Sequence, residues 1–302
     1  MKISIVIPTY NQAAYLGETL RSVLDQGYPD VEVIVCDGGS PDHTKQVLEE
    51  YSDRLAWWCS EKDRGQTDAI NKGLGHITGE VWSYLNSDDL LAPGSLARIA
   101  EGFRDPKVQW LGGVSTMFDQ NGERGRIDPV PAVRRRDYLT PWNRSAKYLF
   151  PCSNVNFMRR NVLEQLGTFD DSLHFGMDIE YYVRAIFAEI PLTLIPEVLG
   201  HWRWHEESKT MTDGVAYRFL EDEINIAERY VAKLPPDQRR EVERELGEMH
   251  RHLAVRRALH QRDKPADSKP FDRLIAELKA QPSLLFFRPW LGAIRRQIFA
   301  RA

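Results

Sequence analysis

Val81–Trp82–Ser83–Tyr84–Leu85–Asn86–Ser87–Asp88–Asp89 is the stretch on which the reading of this chain turns. An apolar run with β-branched and aromatic members ends in two adjacent carboxylates, then resumes with Leu90–Leu91 before a Pro93–Gly94 break. Bounded by Gly79 and by turn chemistry, it reads as a buried strand. Two acids at the exit of such a strand are costly unless solvent, a cation or hydrogen-bond donors meet them. Ligands of open α/β sheets gather at the carboxyl ends of the strands, so a divalent cation bridging a diphosphate is one reading. A helix N-cap by Asp88 or Asp89 is the other.

Working outward, Ile3–Ser4–Ile5–Val6–Ile7 has the character of a buried parallel strand stopped by Pro8. Tyr15, Leu16, Leu20, Val23 and Leu24 then recur at helical spacing. A second strand, Val31 to Val35, ends in Asp37–Gly38–Gly39–Ser40. After a short helix to about Tyr51 comes a third, Leu55 to Cys59, followed by a polar loop, residues 60–66, and a helix from near Asp68 to Gly73. Four strand–helix alternations within a hundred residues mean βαβ units, right-handed crossovers and a parallel sheet.

Beyond Phe103 the pattern loosens. Strands are expected at 108–114, 154–158, 192–195 and 198–204, with helices after Met158 and from Asp178. The span from Glu123 to Lys147, polar and basic at Arg134–Arg135–Arg136, reads as a long loop with a short helix. From about Asp213 to His260 the chain turns helical and charged, divided at Pro235–Pro236, and residues 264–270 form a polar linker.

Of 302 residues, 42% are hydrophobic and 28% charged, which supplies a globular core and room for an appendage. A net charge of −4 lacks the basic footprint of a nucleic-acid binder. Cys36, Cys59 and Cys152 are odd in number and far apart, arguing against a disulfide framework or a zinc site and for a reducing compartment. The apolar run ending at Pro8 is too short for a signal peptide. No apolar segment approaches the roughly 20 residues of a membrane span. The expected location is cytoplasmic.

Other strand ends carry polar groups too. A carboxylate at Asp37 can accept from a base N–H or a ribose hydroxyl, beside glycines that permit close approach; a plain turn is the alternative. Asp63, Arg64, Asp68 and Asn71 crowd the end of the third strand, where Arg64 can offset phosphate charge, although each is also an ordinary cap or solvated group. There is no G-x-G-x-x-G and no G-x-x-x-x-G-K-[ST], so the usual dinucleotide and P-loop sites are disfavoured.

Four ordered motifs resemble the family 2 glycosyltransferases: Ile5–Val6–Ile7–Pro8–Thr9–Tyr10–Asn11, Asp37–Gly38–Gly39–Ser40, the run from Glu61 to Gly73, and Leu85–Asn86–Ser87–Asp88–Asp89. The resemblance covers roughly residues 1–210. It implies an α/β GT-A fold, with a Rossmann-like, mostly parallel central sheet flanked by helices. Residues 1–105 would be the nucleotide-sugar half, 106–210 the acceptor half and 211–302 a C-terminal helical extension. It further implies a UDP-linked or other nucleotide diphosphate sugar, Mg²⁺ or Mn²⁺, and inversion at the anomeric carbon.

Carried over by position, Thr9, Asn11 and Asp37 would hold the nucleoside, with Pro8, Tyr10 and Gly38 also in the donor-binding set. Asp63, Arg64 and Asp68 would border base, phosphates or sugar. Asn86–Ser87–Asp88 matches the D-x-D motif, with Asp88 as metal ligand and Asp89 beside the donor sugar. Asn86 departs from that motif and can ligate only through a neutral carbonyl, which would weaken metal affinity without abolishing it. Phe175–Gly176–Met177–Asp178 is similar to the family's acceptor-side acid motif, making Asp178 the candidate general base; a helix N-cap is the alternative. His205–Glu206–Glu207–Ser208 resembles its H-x-x-S segment, with His205 toward ion or phosphate, or else packed under an aromatic lid with Trp202 and Trp204.

Phe287, Trp290, Leu291, Ile294 and Ile298 with four arginines make 284–302 a basic amphipathic segment, suited to an anionic membrane surface or to docking on protein. Peripheral attachment to the inner face of the membrane is thus a further expectation. The acceptor would be a glycan or a lipid-linked glycan in cell-surface polysaccharide synthesis. The rival functions are a sugar nucleotidyltransferase and a catalytically weak nucleotide- or glycan-binding protein.

Overall fold

A computed structural model describes residues 1–132, 134–140, 149–173, 175–205, 215–259, 270–280, 282 and 284. The chain divides into two compact units, residues 1–133 with 144–205, and residues 134–143 with 206–302.

In the first unit, β1 (Ile3–Thr9) and β2 (Val31–Asp37) are buried almost throughout, as strands covered on both faces must be. The covering helices are α1 (Ala13–Leu24), α2 (Thr44–Tyr51) and α3 (Gln66–Leu74). In α1, Leu16, Leu20 and Val23 form one buried stripe. A Cβ on Gly73 would lie 2.4 Å from Val6 Cγ1, so α3 rests on β1 at a distance only glycine allows. With β3 (Trp57–Ser60) and β4 (Val81–Tyr84), the parallel order is β3-β2-β1-β4. The direction of winding reverses between β1 and β4, which opens a crevice at their carboxyl ends.

The remaining strands are β5 (Leu90–Leu91), β6 (Trp110–Asp119), β7 (Gly122–Ile127), β8 (Asn156–Arg159) and β9 (Leu192–Arg203), interspersed with α4 (Ser95–Gly102), α5 (Arg160–Leu166) and α6 (Met177–Phe187). The sheet continues from β4 through β8, β6 and β9 to β5, with β7 beside β6. Here it is mixed: β8 is antiparallel to β4 and β6, while β9 runs parallel to β6. Ile5, Ile7, Val33, Val35, Leu85, Leu111, Phe157 and Leu199 lie in one continuous core.

Three expectations change. Residues 123–127, read as loop, belong to β7, an exposed edge strand burying only Ile127, so hydrophobic patterning carries no trace of it. The two strands expected between Leu192 and Trp204 are one, because irregular register opposite Gly112–Ser115 absorbs Pro196. The third strand begins at Trp57 rather than Leu55.

At the amino ends of the strands the buried Glu32 carboxylate receives Ser4 Oγ (2.5 Å), Lys2 Nζ (2.5 Å), Thr78 N–H (2.5 Å) and Gly79 N–H (3.1 Å). Burial alone would raise its pKa, but the hydrogen bonds from Lys2, Ser4 and Thr78 outweigh it and hold it at about 2. A depressed carboxyl pKa contributes stability above the unfolded value of 4.5 and loses it as pH falls toward about 2. Glu32→Gln should therefore cost about 2 kcal/mol at pH 7 in urea unfolding, with the gap to wild type closing in acid. An equal stability at pH 7 would contradict the assignment.

The second unit holds α7 (Val215–Tyr230), α8 (Pro236–Leu259) and α9 (Pro270–Ala280), with Pro236 in the first helical position where its missing N–H costs nothing. Arg136, buried, pairs with Glu245 at 2.6 Å, with Glu241 and with Asp137, fastening residues 134–140 to α8. The linker at 264–269, Ser208 and the basic segment from residue 285 onward lie outside the described residues. Among the described residues no helix is long and apolar enough to cross a membrane.

Candidate functional site

The carboxyl ends of the parallel strands are tied together by side chains. Asp37, 1% exposed at the end of β2, accepts from Ser40 N–H (3.2 Å), Ser40 Oγ (2.5 Å) and Ser60 Oγ (2.6 Å). Ser40 Oγ accepts in turn from Asn11 N–H (2.7 Å), and Gly38 N–H donates to the Thr9 carbonyl (3.0 Å). Asn11 adopts a left-handed φ of 56°, a conformation asparagine tolerates, and the Tyr10 ring beside it is 61% exposed. Thr9 Oγ1, at the end of β1, is buried without a hydrogen-bond partner.

A Cβ on Gly38 would meet Asp63 Oδ2 at 2.7 Å, so glycine here lets the Asp63 carboxylate close over the β2 turn. Asp63 also accepts from Gly65 N–H at 2.9 Å. One residue on, Gln66 Nε2 donates to Asn86 Oδ1 (2.7 Å), and Asn86 Nδ2 lies 3.3 Å from Asp89 Oδ2. The Asn86 carbonyl, the group expected to face a metal, thus already accepts one hydrogen bond from Gln66.

Neither acid of the pair caps a helix, since the next helix, α4, starts at Ser95 behind Gly94. Thr19 Oγ1 lies 2.8 and 2.9 Å from the carbonyls of Ser87 and Asp89, bracketing the loop from α1. Asp89 is 1% exposed and accepts from Arg203 N–H (3.0 Å). Burial, then the charge of Asp88 beside it, push its carboxyl well above the usual range. Asp88 stays at the surface of the cleft, with Oδ2 2.9 Å from His205 Nε2. The His205 ring lies 4.8 Å from that of Tyr15, and its Nδ1 is buried without a partner.

Asp178 sits in the first turn of α6 behind the cap residue Gly176, so it is not the N-cap; its Oδ1 accepts the Ile179 N–H at 2.8 Å. The Cys152 thiol records its neighbourhood: burial, then the charges of Asp89 and Asp178, push it up to about 12. The Tyr84 phenol is likewise raised by burial and then by Asp178. Asp178 at the head of α6 and Asp89 after β4 thus both lie close enough to Cys152 and Tyr84 to act on them.

Arg64 and Asp68 form the outer rim. The Arg64 guanidinium, 74% exposed, is 2.7 Å from Asp68 and 2.9 Å from Asp171. Asn71 exchanges two hydrogen bonds with the Phe169 backbone (2.9 and 3.0 Å), a purely structural clasp. Among the described residues no three His, Cys, Asp or Glu side chains gather as a ready-made metal cage. One carboxylate oxygen and one imidazole nitrogen, Asp88 with His205, still fit a divalent ion whose other ligands are water and substrate oxygens. Sequence reasoning missed Gln66, Thr19 and Arg203, whose roles come from contacts with residues 20 to 115 positions away.

The chain is similar to an uncharacterised glycosyltransferase of Nostoc sp., 36% identical over 180 residues, which is 56% of this chain and 54% of the relative. It is 28% identical over 206 residues to the glycosyltransferase AglE of Haloferax volcanii, covering 66% of each. Over 150 residues it is 32% identical to the GalNAc(5)-diNAcBac-PP-undecaprenol β-1,3-glucosyltransferase of Campylobacter jejuni, covering 46% of this chain and 47% of that one. The matches thus span about half to two thirds of these relatives' length. Among solved structures, S. aureus TarS residues 1–349 align with 98% of this chain and 88% of theirs, at TM-score 0.63 and 20% identity. The mannosyltransferase PcManGT of Pyrobaculum calidifontis, solved with GDP-Man and Mn²⁺, aligns at TM-score 0.59 and 20% identity over 99% of this chain and 84% of its own. These likenesses show the fold: α/β, of the GT-A type, with a central sheet flanked by helices and a helical C-terminal region. The family model "Glycosyl transferase family 2" matches residues 4–167, more than half of the 302, and the chain belongs to that family.

Proposed function

We propose that this chain is an inverting glycosyltransferase that moves a hexose from a nucleoside diphosphate sugar, UDP-linked in the first instance, to a hydroxyl of a glycan or lipid-linked acceptor. The observation that carries the reading is the Asp88–His205 pair, 2.9 Å apart at the switch point of the sheet. The solved relatives bound to UDP-GlcNAc, to UDP and to GDP-Man with Mn²⁺ support a donor of this class.

On this reading residues 1–105 form the donor half, 106–210 the acceptor half and 211–302 the extension. The Tyr10 ring offers a face to the base, while Thr9, Asn11 and Asp37 hold the nucleoside from the ends of the first two strands. Asp88 and His205 would hold a divalent cation, which when bound supplies positive charge to the leaving diphosphate. The imidazole favours Mn²⁺ over Mg²⁺. Arg64, itself exposed, can turn from Asp68 and Asp171 to phosphate at small cost, because surface ion pairs are worth at most about 1 kcal/mol. Asp178 takes the proton of the acceptor hydroxyl as its oxygen attacks the anomeric carbon and the bond to the diphosphate breaks. Asp89, buried beneath, is a support for the loop rather than a group in contact with sugar. The basic segment 284–302 would hold the enzyme at an anionic membrane surface on the cytoplasmic side, near lipid-linked acceptors in cell-surface polysaccharide synthesis.

The test is UDP release from UDP-hexoses, with Mn²⁺, with Mg²⁺ and with chelator. Release that Mn²⁺ stimulates and a glycan acceptor accelerates is the expected result. Pyrophosphate exchange in its place would indicate a nucleotidyltransferase, and binding without release a carrier.

A further inference from the structure

Arg203, the last residue of β9, is a side chain that the motifs leave without a task. Its Nε donates to the Asp88 carbonyl (2.8 Å), its Nη2 meets Glu18 (2.6 Å), and its backbone N–H donates to Asp89 Oδ1 (3.0 Å). The guanidinium also lies over two rings, with Cζ 5.1 Å from the centroid of Tyr15 and 4.5 Å from that of Phe118. Its surroundings thus combine the acidic loop, α1 and β6. Two residues further along the same segment comes His205, whose ring rests on the same Tyr15.

We propose that Arg203 is the positioning residue that sets the spacing of Asp88 and His205, and so the affinity of the site for a divalent ion; this rests on the donor-site reading above. The physical reasons are three. The charges of Asp88 and Asp89 repel, and in a loop without regular structure that repulsion would splay them; the partly buried Arg203 guanidinium beside the loop offsets it. The main-chain carbonyl of Asp88 has no partner in a strand, and the Arg203 Nε–H fixes that peptide so that the side chain points to His205. The planar guanidinium is itself fixed by Tyr15, Phe118 and Glu18, so the anchor does not swing. Because one residue holds both the loop carrying Asp88 and the segment carrying His205, the two cannot drift apart independently. Lysine cannot substitute: it keeps the charge but has neither the plane for two rings nor the fork for Asp88 and Glu18 together.

The experiment is a Mn²⁺ titration of the full chain in the presence of UDP, followed by the EPR signal of free Mn²⁺, for wild type, Arg203→Gln, Arg203→Lys and Glu18→Gln. Partners behind metal ligands are typically worth about 10- to 100-fold in metal affinity, so Arg203→Gln should weaken Mn²⁺ by about that factor. Arg203→Lys should fall between it and wild type. UDP binding without metal should be unchanged in all, which a merely unfolded or loosened variant would not show. If Arg203→Gln does not unfold cooperatively, Glu18→Gln carries the test, since it frees the guanidinium from its exposed side and should weaken Mn²⁺ in the same direction. Wild-type Mn²⁺ affinity in folded Arg203→Gln, or in both Arg203→Lys and Glu18→Gln, overturns the positioning role while leaving the donor site standing. A wild-type protein that takes up no Mn²⁺ with UDP overturns the donor-site reading itself, and the positioning role with it.

Discussion

Asp178→Asn lowers kcat by about 10²- to 10⁴-fold, the range supplied by a general base, with KM for the donor and UDP affinity unchanged. Asparagine keeps the size of the side chain and can still present an oxygen to the Ile179 N–H that Asp178 Oδ1 now accepts at 2.8 Å. The head of α6 is therefore preserved, and what is lost is the basic oxygen. Its placement follows from the fold: Met177 anchors the first turn in the core while Asp178, half-buried, faces the surroundings it shares with Cys152 and Tyr84. The check is steady-state transfer with saturating acceptor, beside calorimetric UDP binding. A wild-type kcat in the folded variant would remove Asp178 from the chemistry.

Asp88→Ala is the second large effect, and it should differ in kind. Transfer should fall by at least about 10²- to 10³-fold, as when a main source of charge stabilisation is deleted, and Mn²⁺ uptake with UDP should fall with it. The protein should remain folded, because Asp88 contributes to no core and its carbonyl still receives Arg203 Nε. Its neighbour provides the contrast. On motif grounds Asn86→Asp would restore a metal ligand and tighten the ion. The structure predicts the opposite, because Asn86 Nδ2 donates to the buried Asp89 Oδ2 at 3.3 Å, and an acid in its place removes that donor and adds a third carboxyl beside Asp88 and Asp89. Asn86→Asp should thus leave Mn²⁺ affinity no better than wild type and reduce thermal stability. A tighter Mn²⁺ affinity in Asn86→Asp would contradict the relay from Gln66 through Asn86 to Asp89.

The legible parts of this molecule were those whose physics is local. The parallel half of the sheet could be read because strands buried on both faces are written as near-continuous apolar runs, as in Ile3–Ile7 and Val31–Val35. Strand ends could be read because the acids and glycines that interrupt those runs stand at fixed offsets from them. β7 was not legible, since an edge strand facing water has no apolar period, and Pro196 disguised one long strand as two. At the site, Thr9, Asp37, Asp63 and Asp88 announced themselves as polar groups after apolar strands. The Asn86 side chain was open to a ligand reading because its partner Gln66 is 20 residues away and its orientation is decided only in three dimensions. Arg203 was hidden for the same reason, its partners being Asp88 and Glu18 across more than a hundred residues.

The most direct test of the central claim is a crystal structure of the chain with UDP and Mn²⁺. The account predicts the ion on Asp88 and His205, the diphosphate against it, and the uridine beside Thr9 and Asp37. UDP bound away from the ends of β1, β2 and β4, or an ion that contacts neither Asp88 nor His205, would contradict it.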